Sequence, residues 1–310
     1  MASFVAENKH LEIQLEEIKS ATDNFNENKV VGASESGKVY VGELSHSKGK
    51  SLVSMKRIDR TYWQGELEFY KEVRMVSCYK HENLVSLLGF CTEGGEMVLV
   101  YEHASNGSLD QRLNDDTLTW AQRIKICLDA AKGLNFLHDP QGTHQRLLHC
   151  DIKSANILLN ENLNAKVSSF GLSKMAPIDK QNSFVICDIV GTPGYCDPVY
   201  METYSVTKES DVYSFGVVML EVLCGRLCVE NSNGQLNIFV PLWKESYEQK
   251  KLDEIIFEDL KQQMDPSSLD VFADIAFQCL HTSREERPTM SLVVEKLEIA
   301  LEIQERSEGK

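Results

Sequence analysis

Leu148-His149-Cys150-Asp151-Ile152-Lys153-Ser154-Ala155-Asn156-Ile157-Leu158-Leu159 sets a carboxylate two residues before a lysine and five before an asparagine, with apolar runs on both sides. Asp151 can accept the proton of an incoming hydroxyl, Lys153 can stabilise charge on a transferred phosphoryl group, and Asn156 can ligate a metal. A polar loop between two strands has no need of all three at this spacing.

Three weaker patterns precede it. Gly32-Ala33-Ser34-Glu35-Ser36-Gly37-Lys38-Val39-Tyr40 places two glycines between segments that alternate as strands. Backbone N–H groups in such a loop can approach phosphate oxygens with no Cβ in the way. Two glycines in a hairpin are common, and the middle glycine is missing here, giving Gly-x-Ser-x-x-Gly. Val53-Ser54-Met55-Lys56 ends the next strand, and Glu72 stands on a helix sixteen residues later. Either charge alone reads as a solvated surface group. Together they fit a nucleotide site in which the lysine holds phosphates and the glutamate keeps the lysine aimed.

The 310 residues are 42% hydrophobic and 25% charged, ordinary for a globular chain with a sizeable core. A formal charge of −15 argues against an electrostatic grip on nucleic acid or on an anionic membrane. The nine cysteines are scattered through apolar runs, and only Cys224 and Cys228 are close, so no zinc pattern is completed. They read as small buried thiols in a reducing compartment. No secretory apolar region follows Met1, and Ala2 stands where a myristoylation signal needs glycine. The richest apolar stretch, Phe215–Cys224, is far short of the ~20 residues a membrane helix needs. The expectation is a soluble, cytoplasmic chain with no direct membrane anchor.

Leu11, Leu15, Ile18, Ala21 and Phe25 recur at helical steps and predict an amphipathic helix over 11–25. The period then shifts: 29–44 predicts two strands about the glycine loop, and 51–58 a third. A helix over 66–77 puts Phe69, Val73 and Val76 on one face, and strands are predicted over 84–88 and 97–101. From Asn106 the chain reads as helical. Thr119 suits the N-cap of a helix over 120–137, and a second apolar helix starts near Ser210 and stops at Gly225. Further helices are predicted over 236–249, 251–263, 267–281 and 290–305.

With its motifs in this order, the sequence resembles the protein kinase superfamily, and within it the plant receptor-like and receptor-like cytoplasmic serine/threonine kinases. The stretches 18–25, 83–91, 101–109 and 210–216 carry the likeness, which runs from about residue 11 to residue 303. The resemblance implies an α+β fold of two lobes. An N-terminal extension over 1–25 precedes an antiparallel N-lobe with one helix over 26–102, a mainly helical C-lobe over 103–303 and a tail over 304–310. It implies ATP and magnesium as ligands, with Asp151, Lys153 and Asn156 as catalytic residues and Asn156 also a metal ligand. Gly32, Gly37, Val39, Ser54, Lys56, Glu72, Tyr101, Glu102, Ala104 and Leu158 would bind the nucleotide. Among these, Tyr101 resembles the gatekeeper, Glu102 and Ala104 offer backbone groups to adenine, and Val39, Ser54 and Leu158 enclose the base. Val76, Leu87, His149 and Phe170 match a stacked column anchored by Asp211, and Arg287 matches a buried structural arginine. Lys153 with Thr192 is the serine/threonine-type pattern. Partners would be proteins, an active receptor-like kinase or its signalling complex, and any recruitment to the plasma membrane would go through them.

Some positions leave the family pattern. Ser169, in Lys166-Val167-Ser168-Ser169-Phe170-Gly171, stands where the family has the aspartate that holds magnesium. A neutral hydroxyl is a poor ligand for a hard cation, and losing one preorganised charge-stabilising group costs roughly 10²–10³ in rate. Cys150 replaces the arginine of His-Arg-Asp, a non-RD pattern, while Ile186 and Cys187 fall where loop phosphate acceptors usually lie. The reader of a phosphate and its mark are both missing. Val199 replaces the glutamate that pairs with Arg287, which must find another acceptor or face water. Ser34 and Ser54 are small changes in the nucleotide pocket. Two readings stay open. One is a pseudokinase acting through nucleotide-sensitive protein binding; the other is a working kinase that transfers the γ-phosphate of ATP to serine or threonine. Ser169, Cys150 and Val199 favour the first, and the survival of Asp151, Lys153 and Asn156 favours the second.

Overall fold

The computed structural model describes residues 8–34, 37–46, 49–59, 63–139, 145–176 and 184–309, without the side chains of residues 34, 63 and 64. The chain divides into two units, Met1–Ser105 with Ser169–Gly171, and Asn106–Ser168 with Leu172–Lys310.

In the first unit, helix α1 (Leu15–Ala21) precedes strands β1 (Val30–Ser34), β2 (Gly37–His46) and β3 (Gly49–Ile58). Helix α2 (Trp63–Cys78) follows, then β4 (Leu87–Cys91) and β5 (Val98–Glu102). The strands form one antiparallel sheet in the order β1-β2-β3-β5-β4. Tyr40, Leu44, Val53 and Met55 turn into a core shared with Ile13, Leu15 and Ile18. Strand alternation then puts Val39, Ser54 and Lys56 on the opposite face, with Val39 directly across from Lys56.

The N-terminal helix is shorter than its periodicity predicts. Leu11 closes a 3-10 turn, and Ile13 N–H donates to Phe90 O, drawing 12–14 out as extended chain beside β4. At the other end the buried Thr22 hydroxyl donates to Ile18 O and accepts from Phe25 N–H, and Asp23, Asn24 and Phe25 all have positive φ. Apolar spacing continues through both ends while the backbone turns away from the helix. Strands β4 and β5 lie one to three residues later than predicted. Leu84 and Val85 are buried, but they sit in a turn closed by Leu84 N–H on His81 O.

The second unit is mainly helical: α3 (Trp120–His138), α4 (Pro198–Thr203), α5 (Lys208–Cys224), α6 (Val240–Glu248), α7 (Pro266–Cys279) and α8 (Met290–Glu308). Thr119 and Gln122 close a capping box on α3, and Gly225, at φ 66°, ends α5. Almost every residue of α5 from Ser210 onward is buried, which is why its sequence is apolar nearly all round. Short antiparallel pairs join β6 (Arg146–Leu148) to β9 (Lys174–Ala176), β7 (Ile157–Leu159) to β8 (Ala165–Val167), and β10 (Phe184–Ile186) to β11 (Ser205–Thr207).

Two predicted helices are corrected. The segment 236–238 belongs to a hairpin of β12 (Val229–Ser232) and β13 (Gln235–Ile238), turned by Asn233 and Gly234 at φ 53° and 81°. The segment 251–263 forms only 3-10 turns at Leu252–Glu254 and Glu258–Leu260. Phe257 N–H donates there to Leu223 O at the end of α5, a tertiary bond that interrupts any continuous helix. All nine cysteines are free thiols, and among the described residues no helix is long and apolar enough to cross a membrane.

Candidate functional site

In the first unit, Glu72 is buried and shared. Its Oε1 accepts the Tyr101 hydroxyl at 2.6 Å, while Lys56 Nζ lies 3.7 Å from Oε2. The lysine is therefore within electrostatic reach of the carboxylate but not hydrogen-bonded to it. Burial first, and then the Glu72 charge, push the Tyr101 hydroxyl well above its ordinary value, so it stays a donor. Ser54 Oγ lies 3.0 Å from His103 Nδ1, and burial lowers the imidazole below its usual value. The added hydroxyl of Ser54 is thus satisfied by the segment that follows β5. Glu102 directs both its amide and its carboxylate to Ser86, and Ala104 follows half-buried.

The two glycines are not equivalent. A Cβ on Gly37, at φ +140°, would lie 1.9 Å from Arg57 O, whereas one on Gly32 would meet only Val39 at ordinary contact distance. Residues 35–36 between them, and the side chain of Ser34, lie outside the described residues. Phe170 is buried, and Ser169 has φ 71°, a left-handed conformation that aspartate and asparagine adopt more readily than serine.

In the second unit, Asp211 on α5 organises the stretch that leads to Asp151. Its Oδ2 accepts from His149 N–H at 2.8 Å and His138 Nε2 at 2.9 Å, and its Oδ1 from Cys150 N–H at 2.9 Å. His149 donates from Nε2 to Ser168 O and accepts Asp151 N–H at Nδ1, which fixes its neutral tautomer. Asp151 then gathers the side chains that sequence spacing singled out. Its Oδ1 accepts the Thr192 hydroxyl at 2.7 Å, and its Oδ2 accepts Asn156 Nδ2 at 2.9 Å with Lys153 Nζ at 3.3 Å. Lys153 also donates to Thr192 Oγ1 at 2.7 Å. Asn156 Nδ2 makes a second bond to Asp151 O, which leaves its carbonyl oxygen as the atom suited to a cation. Leu158 is half-buried on β7, bridged to Ser108.

The Cys150 side chain enters an apolar cluster. It packs with Val185 and Cys187 against Leu148, Ala176, Tyr200 and Val206. Burial pushes its thiol well above the ordinary value, and the Asp211 and Asp151 carboxylates lie near enough to help raise it. The Tyr200 hydroxyl accepts from Val190 N–H at 3.1 Å, donates to Asp188 O at 2.6 Å and lies 3.3 Å from Cys187 Sγ. Pairing of β10 with β11 completes the hold on 184–207.

Arg287 has an acceptor. Its side chain is fully buried, with Nη2 on Asp197 Oδ1 at 2.8 Å, Nε on His281 O and Nη1 on Glu209 O. Arg284 takes the other oxygen of the same carboxylate, at 2.7 and 2.9 Å. Burial alone would raise the Asp197 carboxyl, but the two guanidinium groups outweigh it and hold it below its ordinary value. Asp197 also caps α4 through Val199 N–H. Sequence reasoning missed this role. Asp197-Pro198 signals a helix start, but nothing local names the two arginines.

Fold and residue groups together define a protein kinase domain. A family profile described as protein tyrosine and serine/threonine kinase matches residues 25–297. The chain is 40% identical over 305 residues to the receptor-like protein kinase HERK 1 of Arabidopsis thaliana, covering 97% of this chain and 36% of that protein. It is 42% identical over 299 residues to ANXUR2 of the same plant, covering 95% of this chain and 34% of that protein. The chain belongs to the protein kinase superfamily, among the plant receptor-like kinases. It spans about a third of the length of the curated relatives it matches.

Proposed function

We propose that the chain is a kinase-fold signalling domain with impaired phosphoryl transfer, acting through protein contacts that bound nucleotide modulates. The observation that carries this reading is Ser169, a hydroxyl at the position where the family places its magnesium-binding carboxylate. Family members use ATP with magnesium, and the phosphate-holding residues fit such a nucleotide, because Lys56 Nζ stands 3.7 Å from the Glu72 carboxylate that would keep it aimed. The metal donors fit poorly. Asn156 offers one neutral amide oxygen and Ser169 a neutral hydroxyl, whereas magnesium in such sites is held through carboxylates. The fixed segment 184–207, with no phosphate reader in Cys150, suits a surface presented to a protein partner such as an active receptor-like kinase. In this reading the domain works in the cytoplasm, and any recruitment to the plasma membrane goes through that partner.

A second reading, an active serine/threonine kinase, draws support from the Asp151–Lys153–Thr192 hydrogen bonds, which a pure scaffold does not require. Phosphate incorporation from labelled ATP, with magnesium or manganese, separates the two. Under the first reading it stays at the level of an Asp151→Asn control, while Ser169→Asp strengthens magnesium-dependent ATP binding. Turnover that depends on Asp151 would end the first reading in favour of the second.

A further inference from the structure

Glu221, in the last turns of α5, has no exposed surface and takes no direct part in the residue groups above. Its Oε1 accepts the Tyr195 hydroxyl at 2.5 Å and Cys228 N–H at 2.8 Å, while Oε2 has no hydrogen-bond partner among the described residues. A buried carboxyl with a bare oxygen is costly, and an apolar side chain of similar volume would fill the space more cheaply. What the position gains is the bond to Tyr195.

Tyr195 is gripped twice by α5. Ser214 Oγ donates to its carbonyl at 2.8 Å, and Glu221 takes its hydroxyl. Tyr195 N–H donates in turn to Thr192 O at 3.2 Å, closing the turn Thr192-Pro193-Gly194-Tyr195. Gly194 in that turn lies against Cys228, since a Cβ there would meet Cys228 Sγ at 3.2 Å. The first residue of the turn is the one whose hydroxyl sits on Asp151 and receives Lys153. We propose that Glu221 is a positioning residue for the Asp151–Lys153–Thr192 cluster, holding Tyr195 so that the Thr192–Tyr195 turn fixes the Thr192 hydroxyl on Asp151. The same constraint shapes the surface a substrate or a partner would meet, so the inference stands apart from whether phosphate is transferred.

Amide hydrogen exchange on the purified chain tests it, comparing Gly194, Tyr195 and Cys196 with the body of α5 over 215–220. Glu221→Ala and Tyr195→Phe are expected to speed exchange in the turn about tenfold relative to α5, the scale of one lost buried hydrogen bond. Glu221→Gln keeps an acceptor in place and should restore most of the protection. If Glu221→Ala does not fold, Tyr195→Phe and Glu221→Gln still decide. Two results would overturn the proposal. One is exchange in the turn of Tyr195→Phe that is unchanged or rises only in step with 215–220; the other is a Glu221→Gln turn as labile as that of Tyr195→Phe.

Discussion

Asp197 binds two arginines through separate oxygens, caps α4 and accepts Ser210 Oγ, so one carboxylate does the work that the family pattern assigns to a glutamate at 199. Restoring that glutamate should not help. Val199→Glu adds a second carboxylate beside an acceptor already in place, and its thermal midpoint is expected at or below that of the parent. Asp197→Ala, by contrast, leaves the fully buried Arg287 without its anion, at a cost of about 3–5 kcal/mol in denaturant unfolding. That Arg287 needs an acceptor is legible from the sequence, because a buried guanidinium cannot stay unpaired. Which acceptor serves is not, because Asp197 lies far away along the chain and only the tertiary fold brings it close. Asp151, Lys153 and Asn156 are legible for the opposite reason: their spacing is local, and a short loop can hold them only one way.

Elements with long regular periods read well from sequence. Helices α3 and α5 carry caps and apolar residues in register, and both form within a residue or two of expectation. Misreadings fall where tertiary bonds or turns cut across a helical period. Asn233-Gly234 is a strong hairpin signal that the apolar residues of 236–249 overshadow, whereas the 251–263 segment gives no local warning of the Phe257 bond to Leu223. The segment 184–207 carries no local signal of its support, which comes from Leu148 on β6 and Ala176 on β9. At this scale Cys150→Arg is informative. The guanidinium would displace apolar contacts in the cluster while Asp211 is already committed to His138, His149 N–H and Cys150 N–H, and the thermal midpoint should fall. Adding Cys187→Asp should recover part of that loss, because it supplies the missing charge. Equal midpoints for the parent and Cys150→Arg would show that the side chain escapes to water and that the cluster does not hold the segment.

For the molecule as a whole, two buried carboxyls shape the response to pH with opposite signs. Burial pushes Glu221 up to about 7, against hydrogen bonds from Tyr195 and Cys228 that act the other way. The titratable groups facing it, Tyr195, Cys228 and Cys224, are all raised by burial and stay neutral. A raised acid binds its proton more tightly in the folded chain, so its stabilisation is complete below the unfolded value near 4.5 and is lost as pH rises through about 7. Asp197 is lowered, so its contribution is present above the unfolded value near 3.8 and is lost as pH falls. Unfolding free energy should therefore decline by about 3 kcal/mol between pH 4.5 and 8 on account of Glu221. Glu221→Gln should flatten that limb and leave the acid limb unchanged. A parent and a Glu221→Gln variant with the same slope above pH 5 would remove Glu221 as the cause.

The cluster of Leu148, Val185, Cys187, Tyr200 and Val206 answers to different surroundings than a charged latch would. An arginine–phosphate bridge weakens as salt screens it. Contact between apolar side chains is nearly indifferent to ionic strength, and it loosens on cooling, because burial is driven by water and that drive fades in the cold. The order of this face is thus governed by temperature rather than by the ions around it.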